Sequence, residues 1–362
     1  MARDIRPSLR TKVNLKAQLI ARLRFSHVLT LSEKEFAKMI SEIESDPLFQ
    51  KLIYPKDSGL KAVFKRRVPH QRMSQSFFDV KEEISAGAEG VDVEKILAQH
   101  KGVVDLIRRI GQDLFEKHFL YKEGAESIES IAQTCGISAA DVVQVQNAVT
   151  QLSVHSEFFN PSTLPAEGGL RYAMVARIDP DEHGSFWISF TAPHLAAGRY
   201  VINPERVEAL KKFLDASEKK SVTNLLQKLE LINLRQDTLQ KMLQEILTRQ
   251  SAYLQSNDPK RRMPLTQREM ATYLGVAPST ICRSLYGKSV VAPWGQELPL
   301  KDFFVNKKTA AEEWVRQILD EMSDEKKDQL SDNDLREILI RRFHLRASRR
   351  SVNLDRRAAE KK

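Results

Sequence analysis

The sequence predicts a mainly α-helical, multidomain protein with one small β-hairpin and one helix-turn-helix. Three observations carry this. Apolar residues recur three or four positions apart over long stretches, which is the helical period. The β-prone runs Tyr172-Ala173-Met174-Val175-Ala176-Arg177-Ile178 and Phe186-Trp187-Ile188-Ser189-Phe190 flank a turn-rich Asp179-Pro180-Asp181-Glu182-His183-Gly184, the pattern of a hairpin. The length, 362 residues, suits two or three domains at roughly 100 to 200 residues each.

In chain order, residues 15–52 place Leu15, Leu19, Leu23, Leu31, Phe36, Met39, Ile40 and Ile43 at helical spacing. Ser32 with Glu35 reads as a capping box opening the second of two helices, and Asp46-Pro47 stops it. This helical pair is expected to be separable from the domains behind it. Residues 53–94, mixing Pro, Gly, basic residues and Ser85-Ala86-Gly87-Ala88-Glu89-Gly90, read as a linker with little fixed structure. The helical period returns over 93–152, where Gly136 separates one helix from a second, Ser-capped one. After the hairpin, 204–253 is helical again, with stripes formed by Leu225, Leu226, Leu229, Leu239, Met242, Leu243, Ile246 and Leu247.

Charge is unevenly spread. The chain carries a net +9, of which residues 341–362 hold +7 and residues 259–291 hold +5, leaving −3 for the remainder. A positive excess confined to two short segments on a mildly acidic body points to a polyanion-binding end. No apolar run approaches the roughly 20 residues of a membrane span, and MARDIRPSLRTK has no hydrophobic signal core, so a cytoplasmic, non-membrane protein is expected. Cys135 and Cys282, the two cysteines, cannot organise a disulfide framework or a cysteine-rich metal site.

Residues 259–295 read PKRRMPLTQREMATYLGVAPSTICRSLYGKSVVAPWG. A helix-turn-helix needs a small residue where its helices cross, a glycine able to take φ > 0 in the turn, and branched apolar anchors on the second helix. Ala271, Gly275 and Ile281 meet that spacing, with Leu274, Val276 and Leu285 completing the core. Ser279 is expected to cap the second helix and to set Thr280, Arg283 and Ser284 on its outward side, where arginine pairs with guanine in the major groove. Lys288, just beyond, joins these as a DNA-binding candidate. Gly287-Lys288-Ser289 is not the end of a phosphate-binding loop, because that motif requires glycine where Cys282 stands and a strand where a helix is predicted. The eight histidines show no HExxH spacing and there is no GxSxG element, so no catalytic residue, metal ligand or cofactor is expected.

On these residues the chain resembles the bacterial RNA polymerase sigma-54 factors. Ser279-Thr280-Ile281-Cys282-Arg283 is similar to that family's recognition-helix motif, and Pro293-x-Gly295 with Leu300-Lys301-x-Phe303-Phe304 to the segment after it. Upstream, Leu225, Leu229, Arg235, Thr238-Leu239, Ile246 and Arg249-Gln250 resemble the family's long connecting helix. At the C-terminus Leu330-Ser331-Asp332-x-x-Leu335, Ser348-Arg349-Arg350-Ser351-Val352 and Arg356 resemble the approach to its DNA-reading box and the box itself. The chain departs from the family at Asn353, Leu354, Asp355 and Arg357 in that box, at Pro278 and Trp294, and in a first region whose residues 15–52 contain only Gln18 and Gln50.

The resemblance implies activator-responsive helices over 1–52, a linker over 53–94, a core RNA polymerase-binding domain holding the hairpin over 95–220, a long helix with the helix-turn-helix over 221–310, and a promoter-binding box domain over 311–362. It implies a non-catalytic transcription initiation factor whose partners are core RNA polymerase, promoter DNA and an ATP-hydrolysing activator. Ser279, Thr280, Arg283, Ser284 and Lys288 would contact DNA at one element, and Arg349, Arg350 and Arg356 at a second. A related protein without initiation activity and a plain helix-turn-helix repressor remain open alternatives.

Overall fold

The computed structural model describes residues 24–53, 61–67, 72–74, 101–121, 126–154, 162–165, 171–182, 184–322, 329–343 and 345–360. Residues 1–23, most of the predicted linker, and residues 93–100 of the predicted helical stretch lie outside that set.

Helix α1 (Glu33–Glu44) opens with the expected capping box, Ser32 accepting from the Glu35 N–H while Glu35 accepts from the Ser32 N–H. Helix α2 (Pro47–Ile53) comes next, with proline in its first turn, where the missing N–H costs nothing. Both helices are built into the body rather than appended to it. Phe36, Ile40, Phe49 and Leu52 share a core with Val222, Leu225, Leu229 and Ile232, so removing residues 1–52 would open that core. Within the predicted linker, strand β1 (Val63–Arg66) buries Val63 and Lys65 while its alternate positions are more exposed. It pairs antiparallel with β5 (Arg199–Ile202). Strand β2 (Arg72–Met73) also lies in that stretch. Long-range pairing supplied the order that local composition did not.

The next segment holds α3 (Lys101–Ile110), α4 (Gln112–Phe115) running into a π-helical turn at Glu116–Leu120, α5 (Ile128–Cys135) and α6 (Ala139–Val154). The glycine between α5 and α6 makes the expected turn: Gly136 adopts φ +64° as the C-cap of α5, a conformation that costs glycine no Cβ clash. The Ser138 hydroxyl accepts from the Asp141 N–H at 3.1 Å, capping α6.

The predicted hairpin is present as β3 (Ala173–Pro180) and β4 (Phe186–Phe190), but it is the middle of a larger sheet. The order is β2-β4-β3-β6-β7, with β6 (Lys288–Val291) parallel to β3 and β7 (Glu297–Pro299) antiparallel to β6. A bulge between Met174 and Ala176 interrupts the β3–β6 register. Strands from opposite sides of the helix-turn-helix therefore close one sheet.

After the short α7 (Pro193–Ala196) and α8 (Pro204–Lys211), α9 (Ala216–Arg249) runs 34 residues, about 50 Å at 1.5 Å per residue. Asp215 and Glu218 form its capping box. Its first half packs into the core that holds α1 and α2. Leu239, Met242, Leu243 and Ile246 in its second half enter a different core, with Val175, Ile178, Phe190, Met270 and Ile281. One rod thus joins two cores. Helix α10 (Ser251–Ser256) continues from it, and Gln250 between them is fully buried. The Gln250 amide donates to the carbonyls of Met263 at 2.8 Å and Phe303 at 2.9 Å and accepts from the Met263 N–H at 2.9 Å. That pins together the two chain segments that flank the helix-turn-helix.

Gly198 tests the β1–β5 pairing. A Cβ there would lie 2.8 Å from the Arg66 carbonyl oxygen and 2.9 Å from its carbon, both backbone atoms that cannot swing aside. Gly198→Ala is expected to destabilise the protein by about 1–3 kcal/mol, the usual range for overpacking, measured as a lowered midpoint of urea unfolding with an unchanged slope.

Candidate nucleic-acid interface

Helix α11 (Gln267–Leu274) begins at a Thr266–Glu269 capping box and ends at Gly275, which adopts φ +67° and donates to the carbonyls of Ala271 and Thr272. Helix α12 (Pro278–Leu285) starts three residues after Gly275. Ala271 and Ile281 are buried at the crossing, as are Met270 and Leu285, and Leu274 and Val276 pack partly against the same core. This is the spacing read from the sequence.

The outward face differs from the expected one. The N-cap is Ala277, with Pro278 as the first helical residue, so Ser279 is not the cap. Thr280 and Ser284 are buried at 7% and 4% exposure, and the Ser284 hydroxyl donates to the Thr280 carbonyl at 2.8 Å. Neither is free to meet DNA. At about 100° per residue, Ser279 and Arg283 fall opposite the inward pair Ile281 and Leu285, while Thr280 and Cys282 lie on its two flanks, where Thr280 is covered and Cys282 is not. Ser279, Cys282 and Tyr286 are exposed and Arg283 is half-buried. Cys282 and Tyr286 are thus additions to the candidate face, and their exposure depends on the packing around α12, which helical phase alone does not give.

Lys288 is also corrected. It starts β6, is 5% exposed, and its ammonium lies 3.5 Å from a Glu33 carboxylate oxygen. Glu33, from α1, is itself 4% exposed. The other groups around it are the Arg235 guanidinium, donating at 2.6 Å, and His194 Nε2 at 3.0 Å. Arg235 also donates to the Val28 carbonyl at 2.6 Å and lies over the Phe36 ring at 4.0 Å. Burial raises the Glu33 pKa, but the attraction of Arg235, Lys288 and His194 outweighs it and holds the carboxyl well below the usual range. Burial, reinforced by Arg235, lowers the Lys288 pKa against the pull of Glu33. Lys288 is therefore held in a buried ion cluster with Glu33 and is not on the outward face expected for it.

The neighbouring strand β7 has its own anchor. Glu297 accepts from the Ser162 hydroxyl at 2.7 Å, the Thr163 N–H at 2.5 Å and the Thr163 hydroxyl at 2.8 Å, and from the Ser289 hydroxyl. Burial raises its pKa, and these donors together lower it further than burial raises it.

The C-terminal unit has a separate core. Helices α13 (Lys307–Asp320), α14 (Asp332–Phe343) and α15 (Arg349–Glu360) enclose Trp314, Val315, Ile318, Leu335, Leu339 and Val352. Trp314 stacks on Phe343 at 4.5 Å and donates its indole N–H to the Lys260 carbonyl at 3.0 Å, a tie to the segment before the helix-turn-helix. The residues read as the box form α15, with Val352 fully buried and Arg349 and Arg350 exposed. Arg356 is a structural residue instead, donating to the Leu330 carbonyl at 2.5 Å and lying 3.9 Å from Asp332. The Asn353 amide donates to the same Asp332 at 2.9 Å. Asp355 is buried, and burial with Glu312 nearby raises its pKa, partly offset by Lys308.

Among the described residues no cluster of three or more His, Cys, Asp or Glu side chains is arranged to hold a metal ion, and no helix is long and apolar enough to cross a membrane. What the arrangement offers is two helices, α12 and α15, each burying one side in its own core and turning arginine outward.

Residues 198–360 match the protein family described as Sigma-54, DNA binding domain. The crystal structure of Aquifex aeolicus sigmaN bound to promoter DNA aligns with a TM-score of 0.34 and 19% sequence identity, over 78% of this chain and 95% of that chain. No curated protein matches the sequence.

Glu33→Gln is expected to destabilise the protein by about 3–5 kcal/mol, because Arg235 and Lys288 would stay buried without a countercharge. Its pH dependence has a definite sign. A carboxyl with a depressed folded pKa contributes stability above its unfolded pKa and loses it as the pH falls through the folded value. Chemical unfolding between pH 7 and pH 3 should show the wild-type advantage over Glu33→Gln shrinking toward the acid end.

Proposed function

We propose that this chain, whose residues 198–360 match the Sigma-54 DNA-binding domain family, is a sigma-54-type transcription initiation factor that binds core RNA polymerase and directs it to promoter DNA. Initiation would await an ATP-hydrolysing activator, and the chain itself would hydrolyse nothing. The observation that supports the reading best is the pair of outward arginine-bearing faces on α12 and α15, set in two different cores. Two reading helices joined through folded segments fix the distance between two half-sites, which is how one protein specifies a two-part promoter.

In this reading α12 enters the major groove with Ser279, Cys282, Arg283 and Tyr286, and α15 meets the second element with Arg349 and Arg350. Arginine provides bidentate pairing to guanine at one position and phosphate neutralisation at another. The helical segment and hairpin within residues 95–220 would supply the polymerase contacts. The N-terminal helices, through Glu33, sit directly behind β6 and hence behind the recognition helix, which gives an activator acting on them a physical route to the DNA-binding face.

The test is reconstitution. The purified chain, mixed with core RNA polymerase, is expected to co-elute with it in gel filtration and to support promoter-specific transcription only when an activator and ATP are added. Co-elution without transcription would identify a related protein that has lost initiation, and DNA binding without co-elution would identify a helix-turn-helix repressor. For the DNA contacts, Arg283→Ala is expected to weaken promoter binding by about 1–3 kcal/mol while leaving affinity for a scrambled duplex unchanged, measured by fluorescence anisotropy. Equal losses on both duplexes would reject base readout.

A further inference from the structure

The outer face of α15 carries a feature that phosphate contacts leave unused. Counting from the buried Val352 and Asp355, the opposite side of the helix runs Arg350, Leu354, Arg357, one turn apart each. Arg350 and Arg357 are exposed, and Leu354 between them is 56% exposed. Ser351 and Ala358, also exposed, flank it one turn to either side. Most of the large apolar side chains of this unit line its own core, Trp314, Val315, Ile318, Leu335, Leu339 and Val352 among them, and Ile340 on α14, at 36%, is less exposed than Leu354. Leu354 therefore projects from the centre of a cationic face. The neighbours that could compete for that centre are occupied: Asn353 donates to Asp332 and Arg356 to the Leu330 carbonyl.

We infer that Leu354 is a specificity-determining residue that packs against the C5-methyl group of a thymine in the major groove of the second promoter element. The inference rests on the reading of α15 as a DNA-binding helix and goes beyond it by naming the base and the atom. Exposed leucines are common on protein surfaces and usually mean nothing. This one is framed by arginines at i−4 and i+3, and a polyanion that draws both of them lays its groove floor across the residue between. On that floor a leucine has neither hydrogen bonds to give nor any to accept. The complementary group is the thymine methyl, the apolar group that the major-groove edge of B-DNA presents. Leu354 is also a position at which the sequence departs from the family box, so the contact would give this chain a preference of its own.

The experiment uses the full chain. The duplex sequence bound by the C-terminal unit is first selected from a randomised pool and footprinted with wild type and with the Arg349→Ala, Arg350→Ala double variant. Each thymine of that sequence is then replaced singly by deoxyuridine, which removes one methyl group and nothing else. Wild type is expected to lose about four-fold in affinity at one thymine position, the value of one buried methyl group, and Leu354→Ala to lose affinity for the thymine duplex while showing no difference between thymine and deoxyuridine there. Because Leu354 is exposed, the thermal midpoint of Leu354→Ala should equal that of wild type. A footprint that persists while no thymine shows a methyl effect dependent on Leu354 overturns the inference and leaves the DNA reading of α15 standing. A footprint unchanged in the double arginine variant overturns both. Loss of core polymerase binding by Leu354→Ala, with DNA affinity untouched, would assign the residue to a protein contact instead and also overturns it.

Discussion

Everything around the helix-turn-helix leans on the buried carboxylate of Glu33. A carboxylate at 4% exposure is stable only where cations and donors replace the water it has lost. Here Arg235 from the middle of α9, His194 from α7 and Lys288 from the first residue of β6 converge on it. Four chain segments, from α1 to β6, are held by one side chain. Such a cluster adds little net stability over a well-packed apolar equivalent, because desolvation offsets most of the attraction. Its value is geometric, because a buried cation without its partner is so unfavourable that no other packing of these segments competes.

The same economy appears at Gln250 and Glu297. Gln250 satisfies both ends of its amide on backbone groups of Met263 and Phe303, and Glu297 gathers hydroxyl and amide donors from Ser162, Thr163 and Ser289. Together with the β3–β6 pairing, these contacts fuse the hairpin, the long helix and the helix-turn-helix into one framework. Helix α12 is consequently buttressed on its inner side by elements from the N-terminal half of the chain. A perturbation of α1 would reach the start of β6 through Glu33 and Lys288, which the two turn residues Tyr286 and Gly287 join to the end of α12.

The outward faces of α12 and α15 follow a different rule. On α12 and α15 the buried positions are set by packing, and whatever is left over faces outward. Thr280, Ser284, Lys288 and Arg356 have chemistry suited to nucleic acid, yet their places in the fold assign them to structure. Residue type proposes a role and the packing around each residue decides whether it is free to play it.

Much was nevertheless determined by the sequence alone. The capping box at Ser32, the turns at Gly136 and Gly275, the hairpin strands, the Ala271–Gly275–Ile281 crossing and the concentration of positive charge in two segments all depend on residues near one another in the chain, and local rules read them. The tertiary structure decided what depends on partners far away. Strand β1 formed in a stretch that reads as a linker because β5 offered it hydrogen bonds. The hairpin became part of a five-stranded sheet because β6 returned from beyond α12. Lys288 turned inward because Glu33, from α1 some 250 residues earlier in the chain, waits there. A side chain's charge and size are fixed by its own codon, but whether it meets solvent, DNA or another side chain is set by the free energy of the whole packed chain, and no local pattern carries that information.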